Sequence, residues 1–169
     1  MAKIGILVAS SNNNLKLGKK FVELAKEQNI ETELIDLVSL NLPLYNTIEE
    51  EKNGIPQAAK DLSKKIVDLK AFIVIAPEYN GVMPSVLNNA IAWTSRATED
   101  WRDAFNEKFV GLATHSGGGG TKVLQAMRIQ FQHLGANILA REILTSYDKP
   151  LNEESANNMI SQLGKLSEI

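Results

Sequence analysis

The chain has 169 residues, 44% apolar and 22% charged, a balance that excludes disorder and supplies one packed core without a disulfide or metal staple. Eighteen Lys and Arg against twenty Asp and Glu leave a net charge of -2, which excludes the electrostatic footprint of a nucleic-acid or anionic-membrane partner. There is no Cys, hence no disulfide, thiolate zinc site, Cys-ligated iron–sulfur cluster or Cys nucleophile, and two His, His115 and His133, argue against a His-rich metal centre.

After Met1-Ala2-Lys3, the run Ile4 to Ala9 is nearly continuous in apolar residues, the pattern of a strand covered on both faces. It is shorter than most signal-peptide cores, and no run approaches the ~18 apolar residues of a membrane span, so a cytoplasmic chain is expected. Leu17, Phe21, Leu24 and Ala25 then repeat at helical spacing. Glu33-Leu34-Ile35-Asp36-Leu37 predicts an outer strand, because polar residues interrupt it. Residues 39 to 55, with Pro43 and the acidic run Glu49-Glu50-Glu51, predict a long loop. Such loops in compact domains serve as lids or stay disordered; the Glu run itself reads as a solvated surface. A helix can begin at Pro56, with Leu62, Ile66 and Leu69 as its apolar stripe.

A second apolar run, Ala71 to Ala76, ends at Pro77. Glu78-Tyr79-Asn80-Gly81 is rich in turn residues, and beyond Pro84 a helix is marked by Leu87, Ala90 and Ile91. Phe109-Val110-Gly111-Leu112-Ala113 predicts a third strand of the same kind, followed by Ser116 and the glycines Gly117 to Gly120. Val123, Leu124, Met127, Phe131 and Leu134 predict a long amphipathic helix. A last strand lies within Ala136 to Leu144, and Met159, Ile160, Leu163 and Leu166 predict a closing helix. Strands alternating with helices mean an α/β domain over residues 1–169, a doubly wound parallel sheet with helices on both faces.

Ligands of open α/β sheets lie beyond the carboxyl ends of the strands. Three polar or Gly-rich segments occupy that edge: Ser10 to Leu15, Pro77 to Pro84 and Thr114 to Thr121. The first leads into a helix, so its hydroxyls, amides and backbone N–H groups suit a phosphate, while Ser and Asn equally suit a helix cap. Neither a Walker loop nor Gly-x-Gly-x-x-Gly is present. Gly117 to Gly120 either let backbone approach a flat ligand or make a mobile turn. Beside them, His115 is either a donor to a substrate or a hydrogen-bonded structural residue.

The stretch Pro77-Glu78-Tyr79-Asn80-Gly81, then Pro84, then Leu87-Asn88-Asn89-Ala90-Ile91-Ala92-Trp93 resembles the central motif of the NAD(P)H-dependent FMN reductase family. That motif runs Pro-Glu-Tyr-Asn-Gly, a few residues, Pro-Gly, Leu-Lys-Asn-Ala-Ile-Asp-Trp, and is shared by quinone, azo and chromate reductases. The Ser10 loop, Leu42-Pro43-Leu44-Tyr45-Asn46 and Ser116 with its glycines also lie where the family has counterparts. The resemblance implies a flavodoxin-like three-layer sandwich with a five-stranded parallel sheet of order 2-1-3-4-5. It further implies non-covalent FMN, NAD(P)H as co-substrate, and a homodimer or homotetramer.

By the same resemblance Ser10, Asn12, Asn14 and Leu15 would hold the FMN phosphate. Pro77, Glu78, Tyr79, Asn80 and Gly81 would line the isoalloxazine, largely through backbone atoms, and Ser116 and Gly117 would approach its pyrimidine edge. The family's phosphate loop often reads Gly-Ser-x-Arg-x-x-Ser. Here Ala9 replaces the Gly, Asn12 stands at the Arg, Leu15 falls near the second Ser, and Lys16 offers only a point charge. Ser85 replaces a usual Gly and Ala92 a usual Asp. Trp93 and Ile91 read as packing or subunit contacts, and Arg96 and Glu78 as ion-pair or interface groups.

The function implied is hydride transfer from the nicotinamide C4 to flavin N5 and on to a quinone, free flavin, azo or similar small-molecule acceptor. One shared cleft implies ping-pong kinetics, and no residue is required as a general acid or base. The loop at residues 39 to 55 would then cover the flavin of its own or a neighbouring subunit. Two other readings remain: a non-enzymatic flavodoxin-like electron carrier, opposed by the mild charge and the lack of a Thr-rich phosphate loop, and a family member that has lost FMN.

Overall fold

Parallel strands need a crossover between them, and an amphipathic helix that packs back on the sheet supplies it. The computed structural model describes residues 3–169. β1 (Lys3–Val8), β3 (Ala71–Ile75) and β4 (Phe109–His115) are the central strands, and β2 (Glu31–Asp36) is the outer one. The helices are α1 (Asn13–Glu27), α2 (Thr47–Asn53), α3 (Gln57–Val67), α4 (Ser85–Arg96), α5 (Thr121–His133) and α6 (Glu153–Leu166). The fifth position holds β5 (Asn137–Ile138) and beyond it β6 (Ile143–Thr145), giving the order β2-β1-β3-β4-β5 with β6 also beside β4. All these pairings are parallel, so the expected flavodoxin-like order is the one observed. Val8 pairs with Ile75 and Ile75 with Ala113, so the three central strands end at one level and their loops open on one edge.

Successive side chains of the central strands point to opposite faces, and both faces are covered. Ile4, Ile6, Ile73 and Ile75 pack under α1 and α6. Leu7, Phe72, Val74 and Leu112 pack under α3, α4 and α5. The approach of α1 is close. A Cβ on Gly18 would lie 2.7 Å from Val8 Cγ2, so a larger residue would lift the helix from the strand whose end it helps to line.

Three expectations are corrected. Residues 39 to 55 are not one loop, because they contain α2. The Asn46 side chain accepts from Glu49 N at 2.8 Å, Glu49 and Glu50 lie in the first turn, and Gly54 closes the helix at φ 72°. The last strand is two short pieces, which raises the number of strands among the described residues to six. Between them the Arg128 guanidinium donates to Leu139 O at 2.9 Å and pairs with Glu142 at 2.7 Å, turning the chain away from the ladder. The outer strand begins at Glu31 rather than Glu33 and ends at Asp36.

Candidate functional site

The loop after β1 turns through Ser10 into α1. Ser10 is buried, and its Oγ meets Asn12 N only at 3.5 Å. Asn12 occupies the N-cap position of α1 but makes no side-chain cap bond, and the first turn holds no acidic residue. Asn46 and Asn152, at the same position of α2 and α6, do cap their helices. Among the described residues, the backbone N–H groups of Asn13, Asn14 and Leu15 have no hydrogen-bond partner. Such unmatched donors carry the positive end of the helix dipole. The reading of this loop as a side-chain cap is therefore not what the structure has.

The Asn14 side chain is already engaged. It donates from Nδ2 to His115 O at 2.9 Å and accepts from His115 N at 2.7 Å. The Leu15 side chain packs on the core beside α1. For a ligand at this end, both residues offer their backbone N–H groups.

The loop after β3 is a tight hairpin. Tyr79 N donates to Val82 O at 2.9 Å and Val82 N to Tyr79 O at 3.1 Å. Positive φ at both central residues, 51° at Asn80 and 83° at Gly81, marks a type I′ turn, which Asn-Gly adopts with least strain. Pro77 is buried at its base. The Glu78 carboxylate accepts from Val123 N at 3.3 Å, in the first turn of α5. It supplies the cap that Gly120, left-handed at φ 70°, has no side chain to make. Glu78 is thus a helix cap rather than an ion-pair group.

The loop after β4 is anchored at its start and open beyond. Ser116 is buried; its N donates to Thr145 O at 3.0 Å and its Oγ accepts from Gly118 N at 3.2 Å. A Cβ on Gly118 or Gly119 would meet nothing within 4 Å, so there is free space over this backbone. On Gly117 it would lie 3.6 Å from the ring of Tyr147, which stands on the loop after β6.

The loops after β1 and β3 line two clefts that share Ser10, Asn12 and Tyr79, and the loop after β4 joins them in the smaller of the two. The smaller, about 190 Å³, brings together Ser10, Asn12, Asn14, Pro77, Glu78, Tyr79, Ser116 and Gly117 with Asn13, His115 and Tyr147. Of the residues expected at the site, Leu15, Asn80 and Gly81 do not line it. The larger, about 410 Å³, runs from Ser10, Ser11 and Asn12 to Val38, Leu42, Ser85, Val86 and Asn89. Tyr147 was missed by the sequence reading. It lies beyond the carboxyl end of the last strand, the same edge rule that found the other three segments.

Residues 42 to 45 form a fixed wall rather than a free lid. Asn89 Nδ2 donates to Pro43 O at 3.0 Å, Tyr45 N donates to Asn89 Oδ1 at 2.8 Å, and Trp93 Nε1 donates to Pro43 O at 2.7 Å. Tyr45 meets Trp93 edge to face at 5.0 Å, and its hydroxyl donates to Glu50 at 3.1 Å. Arg96 pairs with Glu50 at 3.0 Å, as its ion-pair reading required, so Glu50 is not part of a purely solvated run. Burial, followed by the Glu50 carboxylate, raises the Tyr45 phenol above its usual range and keeps it a donor.

An uncapped helix start without acidic neighbours suits a phosphate dianion. A rigid turn facing open glycine backbone suits a flat ring with edge acceptors and donors. The residues present thus fit FMN. Among the described residues there is no group of three or more His, Asp or Glu that could hold a metal.

Residues 2–149 match the family model described as NADPH-dependent FMN reductase. The chain is 30% identical over 146 residues to an uncharacterised protein of Mycoplasma pneumoniae, covering 84% of this chain and 86% of that one. A probable NADPH:quinone oxidoreductase 2 of Oryza sativa is 27% identical over 163 residues, covering 90% of this chain and 78% of its own. FerB, a flavoenzyme NAD(P)H:(acceptor) oxidoreductase from Paracoccus denitrificans, shares the fold at TM-score 0.79 and 21% identity, over 99% of this chain and 98% of its own. The matched stretch takes in the uncapped start of α1, the Asn80-Gly81 turn and the glycines after β4, and the chain belongs to the NADPH-dependent FMN reductase family.

Proposed function

We propose that this FMN-dependent NAD(P)H oxidoreductase delivers its electrons to a quinone or similar small acceptor, with reductant and acceptor using one cleft in turn. The observation that carries the residue assignment is the set of unpartnered N–H groups at the start of α1, where Asn13 and Asn14 line the cleft that Tyr79 also lines and Leu15 N follows in the same turn. When bound, FMN supplies the redox chemistry, taking a hydride from NAD(P)H and giving it to the acceptor.

The chain binds and orients. Ser10, Asn12 and the N–H groups of Asn13, Asn14 and Leu15 hold the phosphate at the positive end of α1. Pro77, Glu78 and Tyr79 line the ring, and the Asn80-Gly81 corner behind them fixes the backbone of the turn. Ser116 and Gly117 face the pyrimidine edge, and the open space over Gly118 and Gly119 leaves room for a second planar molecule. Glu78 is the one carboxylate lining either cleft among the described residues, and it is turned to α5. No carboxylate is therefore free to act as a base. Orientation and exclusive occupancy carry the turnover, which favours ping-pong kinetics.

The similarity to the rice protein, a probable NADPH:quinone oxidoreductase, supports a quinone as acceptor; free flavin and azo compounds share its planar, electron-poor chemistry. Leu44 and Ile48, 73% and 75% exposed, support a homodimer or homotetramer built beside α4. No helix among the described residues is long and apolar enough to cross a membrane. We place the protein in the cytoplasm, with its supply of reduced nicotinamide.

Titration of the apoprotein with FMN, followed by NAD(P)H oxidation with a benzoquinone, tests the proposal. The expected result is one-to-one quenching of flavin fluorescence, then steady turnover with parallel double-reciprocal lines. Saturable binding without turnover would assign an electron carrier, and no saturable binding would assign a member that has lost FMN.

A further inference from the structure

The hydrogen bonds around His115 favour one tautomer of its ring. Its Nδ1 lies 3.1 Å from Thr145 Oγ1. The same hydroxyl oxygen lies 3.1 Å from Thr114 O, which can only accept. Thr145 has one hydroxyl proton, and with Oγ1 donating to Thr114 O that proton stands between the two oxygens. Thr145 Oγ1 is then the acceptor toward the imidazole, so Nδ1 carries the ring proton. In the neutral ring Nε2 is left as a bare acceptor.

That acceptor is buried and, among the described residues, has no hydrogen-bond partner. Natural structures rarely leave such an atom without a purpose. The backbone that carries the ring is fixed. Asn14 holds both backbone groups of His115, and Ser116 N is held by Thr145 O at 3.0 Å. The ring stands edge to face with Tyr147 at 5.3 Å and 88°. Tyr147 is 78% exposed and sits on the turn closed by Ser146 N donating to Lys149 O at 2.9 Å, so this neighbour can rotate aside. Both rings line the smaller cleft, next to Ser116 and Gly117.

The oxidised isoalloxazine carries acceptors at N1, O2, O4 and N5, and a single N–H, at N3 of the pyrimidine edge. A protein acceptor with a locked tautomer at that edge is complementary to N3–H and to no other ring atom. We propose that His115 Nε2 accepts the N3–H of bound FMN, with the Tyr147 side chain turning away as the ring enters; this rests on the FMN site proposed above. His115 is then a flavin-positioning contact that fixes which way round the pyrimidine ring lies.

The test uses FMN and N3-methyl-FMN, which lacks the N–H, with wild type, His115→Gln and His115→Phe. Wild type is expected to bind FMN about tenfold more tightly than N3-methyl-FMN. In His115→Phe that preference should fall to near unity through loss of FMN affinity, and in His115→Gln, which keeps an amide oxygen, part of it should return. Retention of the full preference in His115→Phe would overturn the proposal. Long-range 1H–15N spectra of wild type separate a hydrogen bond from steric exclusion of the methyl group and need no variant to fold. They should show Nδ1 protonated, and an Nε2 resonance that shifts with FMN but not with N3-methyl-FMN. A protonated Nε2 in the free protein, or an Nε2 unmoved by saturating FMN, would overturn it. Absence of FMN binding by wild type would instead remove the FMN site on which it rests, while the spectrum of the free protein would still report the tautomer.

Discussion

Asn14, in the first turn of α1, and His115, at the end of β4, exchange two hydrogen bonds of 2.9 and 2.7 Å across 101 positions of sequence. The side-chain amide takes the place of a neighbouring strand for one residue of β4 and fixes the start of α1 against the sheet. Asn14→Leu keeps the volume and leaves both peptide groups unpaired. A buried unsatisfied group costs about 1–3 kcal/mol, so urea unfolding should show a loss of roughly 2–4 kcal/mol. Asn14→Asp keeps the acceptor and sets a carboxylate against His115 O, which raises its pKa in the folded state. The protonated acid can donate to that carbonyl. The stability of this variant should therefore be better at low pH and fall as pH rises through the raised pKa. A pH-independent loss would show that the donor half of the clamp is not used.

Gly81 holds φ 83° in the turn that faces the cleft. Left-handed backbone costs an L-residue roughly 1–2 kcal/mol, and a β-branched one at the upper end. Gly81→Val should lose about that much stability and weaken FMN as the turn opens. Unchanged FMN affinity in a folded Gly81→Val protein would remove the turn from the ring site.

The parts legible in the sequence were those carried by local pattern. The runs at Ile4, Ala71 and Phe109 became the central strands, because burial on both faces demands apolar residues at every position. The edge rule then led from strand ends to loops that meet in one cleft. α2 was missed because it buries no side chain and so has no apolar stripe, although Asn46, Glu49 and Gly54 carry its capping pattern. The break in the last strand depends on Arg128 of α5, whose reach no periodicity records. Asn14 was expected at a phosphate because it lies in the right loop. Its pairing with His115 exists only once α1 and β4 are side by side.

Glu78 ties the Tyr79 turn to α5 through one 3.3 Å hydrogen bond to Val123 N. Loss of a cap costs about 1 kcal/mol. Glu78→Ala should show that loss in urea unfolding, together with weaker FMN binding. Glu78→Gln keeps the acceptor oxygen and gives up only the charge–dipole part, a few tenths of a kcal/mol. Equal losses for the two variants would assign the effect to charge rather than to the hydrogen bond.

Trp93, fully buried, holds residues 42 to 45 through its bond to Pro43 O at 2.7 Å. With Asn89 and Tyr45 adding further contacts, limited proteolysis at residues 39 to 55 should proceed at the same rate with and without FMN. Trp93→Phe removes the indole N–H while keeping most of the packing. It should speed cleavage near Pro43 and make the rate depend on FMN, as the wall becomes a ligand-ordered segment. FMN-dependent protection in wild type would restore the lid.

Asn12 stands at the start of α1 without capping it, which separates two consequences of changing it. Had its side chain closed the helix, Asn12→Arg would lose about 1 kcal/mol of stability before any ligand was added. Since it makes no such bond, Arg should leave the unfolding midpoint within the range of ordinary surface substitutions, about 0.5 kcal/mol. The added guanidinium would reach a phosphate beside the free N–H groups of Asn13, Asn14 and Leu15 as a charge-assisted, bidentate donor. Tightening of FMN by about tenfold corresponds to about 1.4 kcal/mol, the size of one such contact. Riboflavin, which has the same ring and no phosphate, should gain nothing, so the FMN-to-riboflavin affinity ratio should rise by the same factor. Dissociation constants for both flavins with both proteins, measured by fluorescence quenching, decide the matter. A ratio that stays the same while Arg is tolerated would place the phosphate away from the α1 start, and the unpartnered N–H groups there would have to answer to a different anion.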